Sequence, residues 1–185
     1  AASYLGRSEL REYGAKITLV DRKNYFTFTP LLSEVAAGTL GREHVTYPYR
    51  AMARRYGFGF VQDAACGIDL ERQVVQTKHA ELQYDYLVLA VGGEPQYFNN
   101  ENIENGSVPF ASVDDALAVR GRVIGALERA TLVSDDDERR RLLTFVIAGA
   151  GPAGVEVASE ISNLANRLLR SYYRIPTPVR VVLAE

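Results

Sequence analysis

The sequence predicts an α/β protein with a parallel-sheet unit toward each end and a small antiparallel sheet between them. Three observations predict this. Two β-branched apolar runs each finish on an acid, Lys16-Ile17-Thr18-Leu19-Val20-Asp21 and the run from Val179 to Glu185. A glycine-rich turn at 149–154 joins an apolar run to a helical pattern, and residues 58–82 partly alternate between apolar and polar. The 185 residues are 47% hydrophobic and 24% charged, an ordinary globular composition that permits a sizeable core. Length alone points to about one domain. The internal pattern points to parts of two.

Residues 1–12 are rich in helix formers, with Leu5 and Leu10 on a partial apolar face, so a short helix is expected to end near Gly14. The run at 16–21 has the composition of a buried parallel strand and stops at Asp21. Helix, glycine, strand and terminal acid read as the second half of a βαβ unit, whose own glycine turn is expected to lie before Ala1. After a turn at Arg22-Lys23-Asn24, the aromatic run 25–28 leads into Pro30-Leu31-Leu32 and a small-residue stretch at 35–41, read as a loop that passes a flat ligand. Pro48 suits a helix start, and 49–56 should be a short helix.

Within 58–82, turn signals at Gly67 and Lys78-His79 divide a small set of antiparallel strands. Tyr86-Leu87-Val88-Leu89-Ala90-Val91, closed by Gly92-Gly93, reads as a return to the buried parallel sheet. Ser112 followed by Asp115 resembles a capping box, and Ala116, Val119, Val123, Ala126 and Ala130 recur at helical spacing, predicting a helix over about 113–131. A strand at 144–148, a glycine turn at 149–154, a helix from 155 to about 171 and a strand at 179–183 complete the chain.

With 21 basic against 23 acidic residues the net charge is -2, and no broad field favours nucleic acid or an anionic membrane. Arg54-Arg55 and Arg139-Arg140-Arg141 are short, and the second follows the acidic run 134–138, a mixture expected of a solvated loop. Cys66 is the only cysteine, so there is no disulfide framework or thiolate metal cluster, and a reducing, cytoplasmic compartment fits. It is expected to be a packed small hydrophobe. His44 and His79 fall in predicted loops and are expected at the surface rather than on a metal. The most apolar stretch, 142–158, is interrupted by glycines, Pro152 and Glu156 and falls short of the roughly 20 apolar residues a spanning helix needs. No signal peptide is recognised.

Gly149-Ala150-Gly151-Pro152-Ala153-Gly154 follows an apolar strand and opens a helix, the context a dinucleotide fingerprint requires. Gly149 would permit the tight turn, Gly151 the approach of backbone to a pyrophosphate, and Gly154 close packing of helix on strand. The helix N-terminus would then face the phosphates. Glu185 stands where an acid should receive the adenosine ribose. The spacing, 185 − 149 = 36 residues, exceeds the usual about 20. A helix extension and loop over 168–178 absorb the excess. A carboxylate there would repel a 2′-phosphate, which favours NADH over NADPH. By the same logic Asp21 would hold the ribose of a second dinucleotide.

The series Thr18-Leu19-Val20-Asp21-Arg22-Lys23-Asn24-Tyr25-Phe26, Phe28-Thr29-Pro30-Leu31-Leu32, Glu34-Val35-Ala36-Ala37-Gly38-Thr39-Leu40 and Tyr84-Asp85-Tyr86-Leu87-Val88-Leu89-Ala90 resembles the FAD-dependent pyridine nucleotide oxidoreductases, most of all the type II NADH:quinone dehydrogenases. The resemblance covers nearly the whole chain and about half of a complete family member. It implies a two-dinucleotide-binding, Rossmann-like flavoprotein fold, incomplete at both ends. Residues 1–110 would be an FAD-binding domain lacking its first strand and glycine loop, 111–143 a connecting helix and loop, and 144–185 the first βαβ unit of an NADH-binding domain.

It implies further that Asp21 contacts the FAD ribose, Pro30 and Leu31 pass near the isoalloxazine, Ala65 meets the adenine, and Ala90, Val91 and Gly92 approach the flavin. Val91 stands where the family usually has Thr, so a hydroxyl contact is lost there. The turn at 149–154 would take NADH, with Glu156 toward the nicotinamide–flavin junction; a solvent-facing role for Glu156 is an equal alternative. No cysteine lies in 25–32, unlike the cysteine-bearing branches of this fold. The implied activity is NADH oxidation through FAD to a quinone, at the inner face of the cell membrane through a C-terminal part, and the family allows a homodimer. A reductase of ferredoxin- or rubredoxin-type carriers, and a nucleotide-binding regulatory protein without turnover, are the alternatives.

Overall fold

A computed structural model describes residues 1–7, 13–97, 99–173 and 175–184. In chain order, α1 (Ala2–Leu5) precedes β1 (Thr18–Asp21) and β2 (Tyr25–Thr27). A 3₁₀ turn (Thr29–Leu31) runs into α2 (Leu32–Ala37), followed by α3 (Arg42–Val45), β3 (Thr46–Pro48) and α4 (Tyr49–Tyr56). Four short strands come next: β4 (Gly59–Gln62), β5 (Ala65–Asp69), β6 (Val74–Thr77) and β7 (Glu81–Gln83). Then come α5 (Glu101–Gly106), α6 (Val113–Leu132), α7 (Asp136–Leu142), β8 (Thr144–Ala148), α8 (Pro152–Leu168), a π-helical turn (Leu169–Tyr173) and β9 (Arg180–Ala184). The chain divides into two compact units, residues 1–27 with 46–93 and residues 28–45 with 94–185.

In the first unit β1 pairs in parallel with β4, from Thr18 opposite Gly59 to Asp21 opposite Gln62. The expected antiparallel set over 58–82 is therefore corrected at its start, because β4 joins the parallel pair and only β5–β6–β7 form the antiparallel sheet. Gly67 does not turn the chain. It sits in β5 beside a register shift between Ala65 and Gly67, a bulge, while the reversal falls at 70–73, where Gln73 takes φ +53°. Lys78-His79 does form the second reversal, with the Thr77 N–H donating to the Ala80 carbonyl at 2.8 Å.

The helix 49–56 is present as expected and ends on Gly57 at φ +75°. Of the expected helix at 1–12, Ala2–Leu5 is helical, and 8–12 lie outside the described residues. The expected strand at 86–91 is absent. Tyr86 is 95% and Val91 88% exposed, since no described strand runs beside this segment to accept its backbone hydrogen bonds.

The second unit is built on buried helix faces. Val123, Leu127 and Ala130 of α6 pack with Leu143 and with Val157, Ile161, Leu164 and Ala165 of α8. The stretch 35–41, expected as a loop, is corrected: 32–37 form α2, whose small and apolar residues let it sit buried against α6 and α8. Gly38 ends it at φ +70°, and the Thr39 N–H closes on the Glu34 carbonyl at 2.9 Å. Ser112 caps α6 by accepting from the Asp115 N–H at 3.2 Å, and Asp115 accepts in turn from the Ala111 N–H.

Within the acidic–basic run 134–141, residues from Asp136 on are helical rather than loop, as α7. Asp135 caps it, Arg140 pairs with Asp137 at 2.9 Å, and Arg139 bonds the Ala130 and Val133 carbonyls at the end of α6. β8 pairs in parallel with β9, Thr144 opposite Arg180 through Ala148 opposite Ala184. Val146 is 63% exposed, so one face of β8 is open to solvent among the described residues.

Candidate functional site

The turn between β8 and α8 is built by its glycines. Gly149 holds φ +102°, a conformation that side-chain-bearing residues rarely adopt, and its N–H donates to the Ala184 carbonyl at 2.7 Å, which ties the turn to β9. A Cβ on Gly154 would lie 2.0 Å from the Gly149 carbonyl oxygen, so only glycine permits this helix to sit so close to the strand. Gly151 begins α8 with extended backbone, Pro152 takes the first helical position where a missing N–H is harmless, and the space where a Gly151 Cβ would point is empty. Ala150 is half-buried and Ala153 exposed. Open space beside the Gly149 and Gly151 backbone, at the positive end of a 17-residue helix, is compatible with a pyrophosphate. Glu156 is exposed on α8, and Glu185 lies outside the described residues.

In the first unit Asp21 ends β1 with its carboxylate held from two sides. Its Oδ1 accepts from the Lys23 N–H at 2.8 Å and its Oδ2 from the Tyr49 hydroxyl at 3.1 Å. Its carbonyl accepts from the Asp63 N–H at 3.0 Å, bringing the end of β4 to the same place. Asp63 lies in the link between β4 and β5: its side chain accepts from the Ala64 N–H at 2.8 Å and from the His79 N–H at 3.0 Å, and lies 3.1 Å from His79 Nδ1. Hydrogen bonding, from the Thr77 hydroxyl above all, holds its carboxyl down to about 2. Ala65 follows on β5 with its side chain exposed.

Tyr49, Asp63 and Thr77 carry no functional signal in the sequence. Nothing in their spacing marks them, since they meet Asp21 and His79 only through strand pairing and the start of α4. His79 and His44 are exposed as expected. Cys66 is corrected: it is exposed, because the bulge beside it turns its thiol outward, where it donates to the Ala64 carbonyl at 3.3 Å.

Ala90, Val91 and Gly92 form an exposed, irregular segment, with Gly92 at φ +76°. Pro30 and Leu31 occupy the 3₁₀ turn of the other unit, Pro30 exposed and Leu31 packed against the cluster of Leu32, Val35 and Val113. Among the described residues no helix is long and apolar enough to cross a membrane.

A glycine turn of this geometry between a parallel strand and a helix is that of a nucleotide-binding α/β protein, and residues 1–183 match the family pyridine nucleotide-disulphide oxidoreductase. The chain belongs to that family. It is 37% identical over 183 residues to the type II NADH:quinone oxidoreductase NdhA of Mycobacterium tuberculosis, covering 95% of this chain and 39% of that protein. To the mitochondrial external alternative NAD(P)H-ubiquinone oxidoreductase B4 of Arabidopsis thaliana it is 30% identical, over 100% of this chain and 34% of that one. The solved structure of NDH2 from Plasmodium falciparum in complex with NADH superposes with a TM-score of 0.87 at 27% identity, covering 98% of this chain and 38% of that one. The chain thus spans between about a third and two fifths of the length of these relatives.

Proposed function

We propose that the chain is the FAD-binding part and the first NADH-binding unit of an FAD-dependent NADH dehydrogenase that delivers electrons to a quinone. The observation that carries this reading is the Gly149 to Gly154 turn, where a positive φ and a 2.0 Å approach both demand glycine, in a chain whose relatives are named as NADH:quinone oxidoreductases. In this reading residues 1–110 are the FAD domain, 111–143 the connection and 144–185 the start of the NADH domain.

The bound flavin supplies the hydride-accepting and electron-passing chemistry. The chain's own residues bind and orient. The turn at 149–154 receives the NADH pyrophosphate through the backbone N–H groups of Ala150, Gly151, Ala153 and Gly154, since the Gly149 N–H is bound to Ala184 and Pro152 has none, while Glu185 receives the adenosine ribose and disfavours a 2′-phosphate, and Glu156 lies toward the nicotinamide end. Asp21 receives the FAD ribose, Ala65 borders the adenine, and Pro30, Leu31, Ala90, Val91 and Gly92 border the isoalloxazine, Val91 through backbone alone. The whole protein acts as a peripheral enzyme at the inner face of the cell membrane, as a homodimer.

Steady-state NADH oxidation by the full-length protein tests this reading, with a soluble quinone analogue compared against ferredoxin-type and rubredoxin-type carriers. Turnover with the quinone is expected. Turnover with a carrier and none with any quinone would reject the quinone assignment and leave the nucleotide sites standing, whereas bound flavin that NADH never bleaches would reject enzyme function. Equal kcat/KM for NADH and NADPH would remove the role given to Glu185.

A further inference from the structure

We propose that Tyr49 is a positioning residue for Asp21, holding its carboxylate in the orientation that receives both hydroxyls of an adenosine ribose. The proposal rests on the reading of Asp21 as the FAD ribose residue. An ionised carboxylate offers about four lone-pair positions. The Lys23 N–H takes one on Oδ1 and the Tyr49 hydroxyl one on Oδ2. Two remain, the number that a ribose cis-diol fills. The terminal torsion of an aspartate is broad, so a single bond from the Lys23 turn leaves the carboxylate plane free to rock. A second donor on the other oxygen fixes the plane.

Tyr49 is itself held without help from any ligand. Its backbone N–H donates to the Asn24 carbonyl at 2.9 Å, which ties the start of α4 to the turn that carries Lys23. Its ring packs tilted against Phe60, centroids 5.1 Å apart, and Phe60 belongs to β4, the parallel partner of β1. The Arg50 guanidinium lies 5.5 Å from the Phe60 centroid. The hydroxyl is therefore placed by strand pairing and aromatic packing before a cofactor arrives. Burial first, then the negative charge of Asp21 and the hydrogen bond to it, push the Tyr49 hydroxyl up to about 12, so it is a donor throughout the neutral range.

Tyr49→Phe removes the hydroxyl and keeps the ring against Phe60. The apo form of the full-length protein is titrated with FAD and with an FAD analogue whose adenosine lacks both ribose hydroxyls, following flavin fluorescence, beside Asp21→Asn. The FAD Kd is expected to rise about 5- to 10-fold in Tyr49→Phe and about 30-fold or more in Asp21→Asn, from loss of hydrogen bonds to a charged group. Wild type and Tyr49→Phe should bind the dideoxy analogue within about 2-fold of each other, since the oriented carboxylate then has nothing to receive. Equal weakening of both flavins in Tyr49→Phe marks a merely structural tyrosine and overturns the proposal. So does unchanged FAD affinity in Tyr49→Phe beside a weakened Asp21→Asn. If Asp21→Asn binds FAD as wild type does, the reading of Asp21 itself fails and takes the proposal with it.

Discussion

The strand ends at 144–154 and at 18–24 are held by different physical means. At 144–154 the work is done by backbone: a glycine at φ +102°, a carbonyl 2.0 Å from where a Gly154 Cβ would be, and a helix N-terminus. At 18–24 the work is done by side chains: the Asp21 carboxylate is clasped by the Lys23 N–H and the Tyr49 hydroxyl, and Asp63 fastens the start of the adjoining small sheet to His79. The difference teaches that a turn built from backbone is intolerant of added atoms, whereas a carboxylate held by side-chain and backbone donors is sensitive to lost donors.

The sharpest way to break this contrast is Gly154→Val. The added side chain must push α8 off the strand, and the full-length protein should lose about 3 kcal/mol or more of stability together with measurable NADH binding. Thermal unfolding and NADH titration check both, and a variant that keeps wild-type affinity removes the close-packing argument. Gly149→Ala comes next. Space around the site is open, so only backbone strain acts, of about 1–3 kcal/mol. NADH affinity should fall about tenfold while FAD content stays at the wild-type level, a separation the flavin absorbance reads directly.

In the other region the expected effect is a pH window. Asp63 has a folded pKa held down to about 2 from 3.8, so its contribution to stability is present above about 3.8 and is lost as pH falls toward about 2. Asp63→Asn should flatten the fall of melting temperature across that window, and an unaltered acid profile would show that the clasp on His79 contributes nothing. The smallest effect is expected at Cys66. Exposed, and outside both clasps, Cys66→Ser should change stability by less than about 0.5 kcal/mol and leave NADH oxidation unchanged. A large loss of kcat in a folded variant would bring a thiol into the chemistry.

Elements specified by local signals were legible in the chain itself. The Ser112–Asp115 cap and the apolar spacing beyond it fixed α6, Pro48 and Gly57 bracketed α4, and the strand–glycine–helix–strand order from 144 to 184 is present within a few residues of its expected bounds. These depend on neighbours within a turn or two of chain, which periodicity and capping report. Three elements misled for the opposite reason. The small residues at 35–41 look like loop until α6 and α8 are there to bury them, the run at 86–91 looks like strand until one asks which strand receives its hydrogen bonds, and Gly67 looks like a turn although its bulge exists only against β6.

What the amino-acid order presents by itself is the residue pattern on which the proposed nucleotide reading rests: glycines at 149, 151 and 154 and an acid ending the strand at 21. These follow from backbone sterics and strand composition, which act over a few residues. What only the tertiary structure decided is how the acid is held. Tyr49 and Asp21 are 49 − 21 = 28 positions apart, and Asp63 and His79 79 − 63 = 16. They meet because β4 lies parallel to β1 and β5 folds back through β6, and long-range pairing of this kind is set by packing and hydrogen-bond register, which no local pattern of residues encodes.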